Sequence, residues 1–155
     1  MERIESFKIN HLLLQPGLYV SRRDTFKDVV VTTFDMRLTA PNKEPVVDVP
    51  ALHTIEHLCA TFLSNCAQKD EIVYFGPMGC RTGCYIVVFG DKTPQDILGL
   101  VLEMCDFVIA FEGQIPGATA EQCGNYQEQN LDMAKYYIKR YKEQLLTYKR
   151  YQYKN

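Results

Sequence analysis

The apolar positions of this chain recur with two spacings, one typical of strands and one typical of helices. Residues 27–38 contain the run from Val29 to Phe34, whose β-branched side chains predict a β-strand. Short apolar runs at 72–75 and 84–89 predict two further strands, and the glycine-rich residues between them predict a loop. This part of the chain therefore reads as a strand followed by a strand pair.

Three other segments have apolar residues three and four positions apart, as in amphipathic helices. The first begins near Pro50, after the candidate N-cap Asp48. The second begins at Thr93, where Asp96 is in the position of a capping box, and the third covers 131–145. The mixed order predicts an α+β fold, a single-domain α/β sandwich whose mainly antiparallel sheet has helices packed on one face.

Length and composition indicate one ordinary globular domain over residues 1–155. An apolar fraction of 46% in 155 residues is enough for a buried core, so long disordered stretches are not expected. Seventeen Lys and Arg against nineteen Asp and Glu give a net charge of −2. We interpret the basic, tyrosine-rich segment 135–154 as the exposed face of a terminal helix and predict no nucleic-acid binding.

The sequence has no feature that directs it to a membrane or an export route. Its first residues lack the pattern of a secretory signal, and no apolar run approaches the ~18–20 residues that span a bilayer. We therefore expect a cytoplasmic protein. In that reducing compartment, the six cysteines favour metal binding or catalysis over a disulfide framework.

The strongest local motif is H-x-x-E-H, formed by His53, Glu56 and His57 on the first predicted helix. Residues four apart lie one turn above each other, so the two imidazoles project from the same face. Two imidazoles at this spacing can bind one divalent metal, and Glu56 is near enough to act as a base on a metal-bound group. The same pattern marks the inverted zinc peptidases.

A catalytic metal site of this type usually takes a third protein ligand and leaves one position open. Cys59, on the same helix, and Cys105, on the apolar stripe of the second helix, are expected to pack in the core. Cys80 and Cys123 each lie beside a glycine in a predicted loop, where the backbone can approach a ligand, whereas Cys84 begins a strand and is the weakest candidate. The pattern does not choose between Cys80 and Cys123.

Several short segments occur in a recognisable order through nearly the entire chain. They are residues 5–7 with His11, 34–37, 41–43, 53–58, 77–83 and 121–124. Any one of them is a weak signal, but in this order and in a chain of this length they are specific. By these segments the sequence resembles the S-ribosylhomocysteine lyase (LuxS) family.

The resemblance implies a homodimer with two active sites at the subunit interface. Each subunit would hold one Fe²⁺, which Zn²⁺ or Co²⁺ can replace. By position, the implied metal ligands are His53, His57 and Cys123, the implied general acid/base pair is Cys80 and Glu56, and the implied substrate-pocket residues are Ser6, His11 and Arg37.

The implied reaction cleaves the thioether bond of S-ribosylhomocysteine to homocysteine and 4,5-dihydroxy-2,3-pentanedione, the autoinducer-2 precursor used in quorum sensing. Proton transfers first move the carbonyl along the ribose chain, and the thiol then leaves by β-elimination. A divalent metal assists such steps as a Lewis acid. Cys80 must be a thiolate to take a proton, and a nearby cation such as Arg81 would favour that form.

Two alternatives make different demands on the residues. A hydrolase of the inverted zinc peptidase type needs a downstream acidic ligand, for which Glu103 or Glu112 could stand. A non-enzymatic domain with a structural metal site needs four protein ligands, so Cys80 would join the other three.

Overall fold

A computed structural model, which describes residues 1–154, contains one four-stranded antiparallel sheet. The strands are β1 (Gly17–Phe26), β2 (Val29–Arg37), β3 (Ile72–Pro77) and β4 (Gly83–Phe89), in the spatial order β1-β2-β4-β3. Every neighbouring pair is antiparallel. The predicted antiparallel sheet is therefore confirmed, together with its three predicted strands.

The helices are α1 (Glu5–Lys8), α2 (Val49–Leu63), α3 (Pro94–Ala110) and α4 (Leu131–Tyr148), with a short 3-10 helix at Lys69–Glu71. The predicted starting signals are used: the Asp48 carboxylate accepts from the Ala51 N–H at 3.1 Å, and Thr93 and Asp96 form the capping box. None of the helices in the described chain is both long and apolar enough to cross a bilayer.

The sheet separates two faces by the alternation of its side chains. On β2, Phe34 and Met36 are fully buried and belong to the same core as Ile55 of α2, Val101 of α3 and Ile138 of α4. The three long helices thus cover one face of the sheet, as predicted for an α+β sandwich.

The opposite face of the sheet carries the other set of β2 side chains. The strand register pairs Val31 with Phe89 and Asp35 with Tyr85 on this face. At one end of it, apolar side chains remain in solvent, and Phe89 is 46% exposed. At the other end lies the buried Asp35, so this outward face changes from apolar to charged along its length.

Strand β1 is the one strand that the sequence pattern did not predict, and the short helices at Glu5–Lys8 and Lys69–Glu71 were not predicted either. Its outer half runs through Ser21 to Thr25, which is almost entirely polar and mostly exposed. An edge strand with one partner needs no continuous apolar run, so periodicity alone gives no signal here. The partner strand β2 supplies nine register pairs that define it.

Candidate metal centre and catalytic pocket

Helix α2 brings the two motif histidines to one point. His53 and His57 lie one turn apart, and their Nε2 atoms are 3.0 Å from each other. The rings meet edge to face with an interplanar angle of 78°. The buried apolar side of the same helix holds its orientation against the sheet, because Leu52, Ile55 and Leu58 are in the core.

Backbone carbonyls orient both imidazoles and favour one tautomer of each. His53 Nδ1 lies 2.9 Å from the Glu128 carbonyl oxygen, and His57 Nδ1 lies 2.7 Å from that of Pro116. A carbonyl oxygen only accepts, so each Nδ1 must carry the hydrogen and donate it. In that tautomer both Nε2 atoms, 3.0 Å apart, are available to bind a cation.

Cys123 completes this group from a distant loop. Its Sγ lies 3.4 Å from His53 Nε2, and the three ligand atoms are all within 4.8 Å of one another. The Cys123 N–H donates to the Thr119 carbonyl at 3.0 Å, and the Asn125 N–H points to the sulfur at 3.5 Å. Two imidazole nitrogens and one thiolate are a donor set that suits Fe²⁺, Zn²⁺ or Co²⁺, so the group could hold a metal ion.

Close packing at Gly117 and two hydrogen bonds of Thr54 fix the segments that surround the metal group. Gly117 has φ of +74°, and a Cβ there would lie 3.2 Å from His57 Nδ1, so glycine allows the loop to reach the ring. On the other side, the Thr54 hydroxyl donates to the Gln129 side chain at 2.7 Å and accepts from the Asn130 N–H at 2.9 Å. These bonds join α2 to the start of α4.

A second group of predicted residues lines a separate cavity of about 330 Å³. Ser6, His11, Arg37 and Cys80 all border it, although they come from α1, the following turn, β2 and the β3–β4 loop. The remaining walls are formed by Phe7, Pro77, Met78, Gly79 and Tyr85. The structure therefore gathers all three predicted pocket residues around the predicted catalytic cysteine.

Cys80 lies in an environment that favours its thiolate. Its Sγ is 3.2 Å from Thr82 Oγ1 and 3.9 Å from Arg37 Nη1. Partial burial alone would raise the pKa of the thiol, but the bonds from Thr82 and the Arg37 charge outweigh it, so the pKa of Cys80 is lowered. The sequence suggests Arg81 as one possible cationic neighbour, and the structure shows the Arg37 guanidinium 3.9 Å from the sulfur.

The hydrogen-bond roles around Cys80 follow from the donor-only nature of arginine. Arg37 Nη1 donates to Thr82 Oγ1 at 2.6 Å, so the hydroxyl hydrogen of Thr82 is free to point at the sulfur. Arg37 is held from behind by Asp35, with Nε–Oδ1 and Nη2–Oδ2 distances of 3.0 and 2.7 Å. Both members of this ion pair are buried, which requires that each be paired.

Asp35 and Thr82 are site residues that the sequence analysis did not identify. Both lie inside segments that carried the family resemblance, but neither had been given a role. Strand alternation could have identified Asp35, because it shares a face with Arg37 two positions away. Thr82 offered no such signal, since its role depends on a contact between the β3–β4 loop and Arg37 of β2.

Glu56 and the remaining cysteines are placed apart from this cavity. Among the described residues, neither Glu56 nor the three candidate metal ligands are part of its lining. Cys59, Cys84 and Cys105 are fully buried, as expected for core packing. Burial raises the pKa of the Cys84 thiol, and the Glu56 carboxylate adds to this, so Cys84 is poorly suited to act as a nucleophile or base.

The arrangement does not fit the two alternative functions, a hydrolase of the inverted zinc peptidase type and a domain with a structural metal site. The metal group found in residues 1–154 contains no acidic member, Glu103 borders a different cavity on α3, and Glu112 is exposed after that helix. A four-ligand structural site would need Cys80 beside the other three, but Cys80 is not a member of that group.

The fold and site define a small α+β protein with a group of two histidines and one cysteine that could hold a metal ion, together with a cysteine pocket. A family model described as S-Ribosylhomocysteinase (LuxS) matches residues 4–152. The chain therefore belongs to this family, which confirms the resemblance seen in the sequence.

Relatives cover most of the chain. The S-ribosylhomocysteine lyase of Finegoldia magna is 55% identical over 141 residues, which is 91% of this chain and 90% of the relative. That of Clostridium acetobutylicum is 56% identical over 142 residues, with the same two coverages. That of Porphyromonas gingivalis is 50% identical over 147 residues, covering 94% of this chain and 92% of the relative.

Proposed function

We propose that this protein cleaves the thioether bond of S-ribosylhomocysteine, giving homocysteine and 4,5-dihydroxy-2,3-pentanedione, the precursor of autoinducer-2. The observation that carries this proposal is the family match over residues 4–152 in a chain that retains both the metal group and the cysteine pocket.

The metal is proposed to be Fe²⁺, one per subunit, with Zn²⁺ or Co²⁺ as substitutes. His53, His57 and Cys123 would hold it, which leaves a coordination position for substrate or water. When bound, such an ion supplies Lewis-acid polarisation of a substrate carbonyl oxygen. The carbonyls of Glu128 and Pro116 keep both imidazoles in the tautomer that this role requires.

Cys80 is proposed as the base that moves protons between neighbouring carbons of the substrate. A thiolate near neutral pH is needed for this step, and the contacts with Thr82 and Arg37 favour that form. After a proton is taken, the thiol can return it to the adjacent carbon, which shifts the carbonyl along the chain. Glu56 is proposed to exchange protons at the other end of the migrating carbonyl and to assist β-elimination of the homocysteine sulfur.

Ser6, His11 and Arg37 are proposed to bind the substrate. They offer a hydroxyl, an imidazole and a guanidinium around the same cavity as Cys80, and such groups suit the hydroxyls and charged ends of a ribosyl amino acid. His11 is oriented by its Nδ1, which lies 2.9 Å from the Ile9 carbonyl oxygen. Its Nε2 is then the nitrogen that would face a ligand.

We also infer a homodimer with active sites at the interface. Phe26, Val29 and Phe89 are exposed by 76%, 49% and 46% on the sheet face that the helices leave uncovered, and the strand register groups them together. A second copy packed there would bury them. Within one chain the Cys80 cavity does not include the metal group, so a partner could bring a metal centre to it. If sedimentation equilibrium gave the mass of a single chain, this proposal would be contradicted.

The free state of all six cysteines agrees with a reducing compartment, and we propose a cytoplasmic location. Fractionation of cells into cytoplasmic, membrane and exported proteins tests it directly. Recovery of the protein outside the cytoplasmic fraction would contradict the proposal.

The test of function is release of free thiol when anaerobically prepared, Fe²⁺-loaded protein is given S-ribosylhomocysteine. The wild-type protein should release homocysteine, and Cys80→Ala should bind metal but release none. Cys123→Ala should lose the metal, as measured by elemental analysis. A folded, metal-loaded wild-type protein that releases no thiol would refute the proposed activity, whereas metal loss in Cys80→Ala would favour a structural four-ligand site.

A further inference from the structure

The C-terminal residues after α4 return to the sheet and cross the beginning of β1. The Arg150 carbonyl accepts from the Leu18 N–H at 3.0 Å, which attaches the segment to the strand. Three residues later, the Tyr153 ring stacks on Tyr19 with centroids 4.7 Å apart and planes 15° from parallel. These contacts place Tyr153 on the outward face of the sheet, which also carries Asp35.

The hydroxyl of Tyr153 contacts the buried ion pair of Asp35 and Arg37, which lies beside Cys80. It donates to Asp35 Oδ2 at 2.9 Å, and the same oxygen accepts from Arg37 Nη2 at 2.7 Å. Burial raises the pKa of the Tyr153 phenol, and the neighbouring Asp35 carboxylate raises it further, so the phenol stays protonated and remains a donor. The carboxylate therefore has one donor from the tail and two from Arg37.

From Asp35 the contacts continue without a gap to the reactive sulfur. Arg37 presents Nε and Nη2 to the carboxylate and Nη1 to Thr82, whose hydroxyl lies 3.2 Å from Cys80 Sγ. A guanidinium is planar, so the position of the carboxylate sets the direction in which Nη1 points.

We propose that Tyr153 is a positioning residue of the active site, whose hydroxyl holds Asp35 and thereby fixes Arg37 and Thr82 beside Cys80. This inference rests on the proposed role of Cys80 as the catalytic base. Tyr153 lies beyond residue 152, where the match to the family model ends, so the family match does not assign it. The C-terminal tail thus contacts the ion pair of Asp35 and Arg37, which lies beside Cys80.

The experiment compares the alkylation of Cys80 in metal-loaded wild type, Tyr153→Phe and Tyr148→Phe, as a function of pH. Tyr153→Phe keeps the ring that stacks on Tyr19 and removes only the hydroxyl. Tyr148→Phe is the matched control, because Tyr148 is an exposed tyrosine of the same C-terminal region. Iodoacetamide is the probe, and peptide mass spectrometry separates Cys80 from the other cysteines.

We expect Tyr153→Phe to raise the pKa of Cys80 by about half a unit, so that alkylation below that pKa slows about threefold. The charged or titratable groups that share the cavity with Cys80 are His11, Arg37 and Tyr85, and none of them is altered. In the lyase assay, kcat should fall by a similar factor at low pH and recover at higher pH, with little change in KM. Tyr148→Phe should follow the wild type.

Coincident alkylation profiles for wild type and Tyr153→Phe would overturn the proposal. A chain ending at Gln152 removes the ring as well, and an unshifted profile in that folded variant would overturn it equally. The alkylation readout does not depend on turnover. A wild-type protein without lyase activity would therefore refute the proposed function, while a shifted profile would still demonstrate the coupling of Tyr153 to Cys80.

Discussion

Replacing Thr82 by valine removes a hydroxyl that connects Arg37 to Cys80 while nearly preserving the shape of the side chain. In the structure this hydroxyl accepts from Arg37 Nη1 at 2.6 Å and lies 3.2 Å from the sulfur. Thr82→Val therefore removes the donor to the thiolate and leaves a buried guanidinium N–H without its acceptor. The thiolate should become less favourable, so the pKa of Cys80 should rise.

The magnitude follows from the strength of a hydrogen bond to a charged group. Such bonds contribute about 1.5–3 kcal/mol, and one pKa unit corresponds to about 1.36 kcal/mol, so the upper limit is about 1–2 units. Cys80 is exposed to water, which replaces part of the lost bond. We therefore expect a rise of about one unit, or about tenfold slower reaction below the pKa. The unpaired N–H of Arg37 should cost a further ~1–3 kcal/mol of unfolding free energy.

The sign of the pH effect is fixed by the direction of the native shift. The folded protein lowers the pKa of Cys80, so the thiolate persists to lower pH than in the unfolded chain, and its contribution to stability is lost as the pH falls through the folded value. Thr82→Val should move the acidic limb of kcat/KM toward higher pH without abolishing activity at its plateau.

The assay measures the pH dependence of Cys80 alkylation and of kcat/KM. Urea unfolding measures the change in the free energy of unfolding. Thr82→Ser is the matched control, because it keeps the hydroxyl and loses only a methyl group. We expect its alkylation profile to remain close to the wild type. A Thr82→Val protein whose Cys80 pKa matches that of Thr82→Ser would refute the assignment of Thr82 as the donor.

Two further substitutions test other parts of the structure. Gly117→Ala would place a Cβ 3.2 Å from His57 Nδ1 at a φ of +74°. The folded variant should therefore hold less metal per subunit, as measured by elemental analysis. Gly99→Ala, which has open space around it on α3, is the control and should bind as much metal as the wild type. Tyr141→Phe removes a buried hydroxyl that donates to the Gly17 carbonyl at 3.1 Å, so urea unfolding should show a loss of about 1 kcal/mol; an unchanged midpoint would show that this bond contributes nothing.

Several features of this protein were determined by the sequence because their physical basis is local. The caps at Asp48 and Thr93 and the helices they begin depend on residues within one turn. The convergence of His53 and His57 likewise follows from the helical repeat, since side chains four apart share a face. The run from Val29 to Phe34 made β2 predictable, because the stiffness of β-branched side chains is also a local property.

Other features were decided only by the tertiary structure. The motif left Cys80 and Cys123 as equal candidates for the third ligand, because 70 residues separate His53 from Cys123 and periodicity carries no information over that distance. The family pattern named Cys123, and the folded loop brings its sulfur to the imidazoles while Cys80 joins a different cavity. Thr82 accepts a hydrogen bond from Arg37, and Tyr153 of the C-terminal tail donates one to Asp35. Each of these bonds joins β2 to a segment distant in sequence, and only packing of the whole chain produces contacts of that kind.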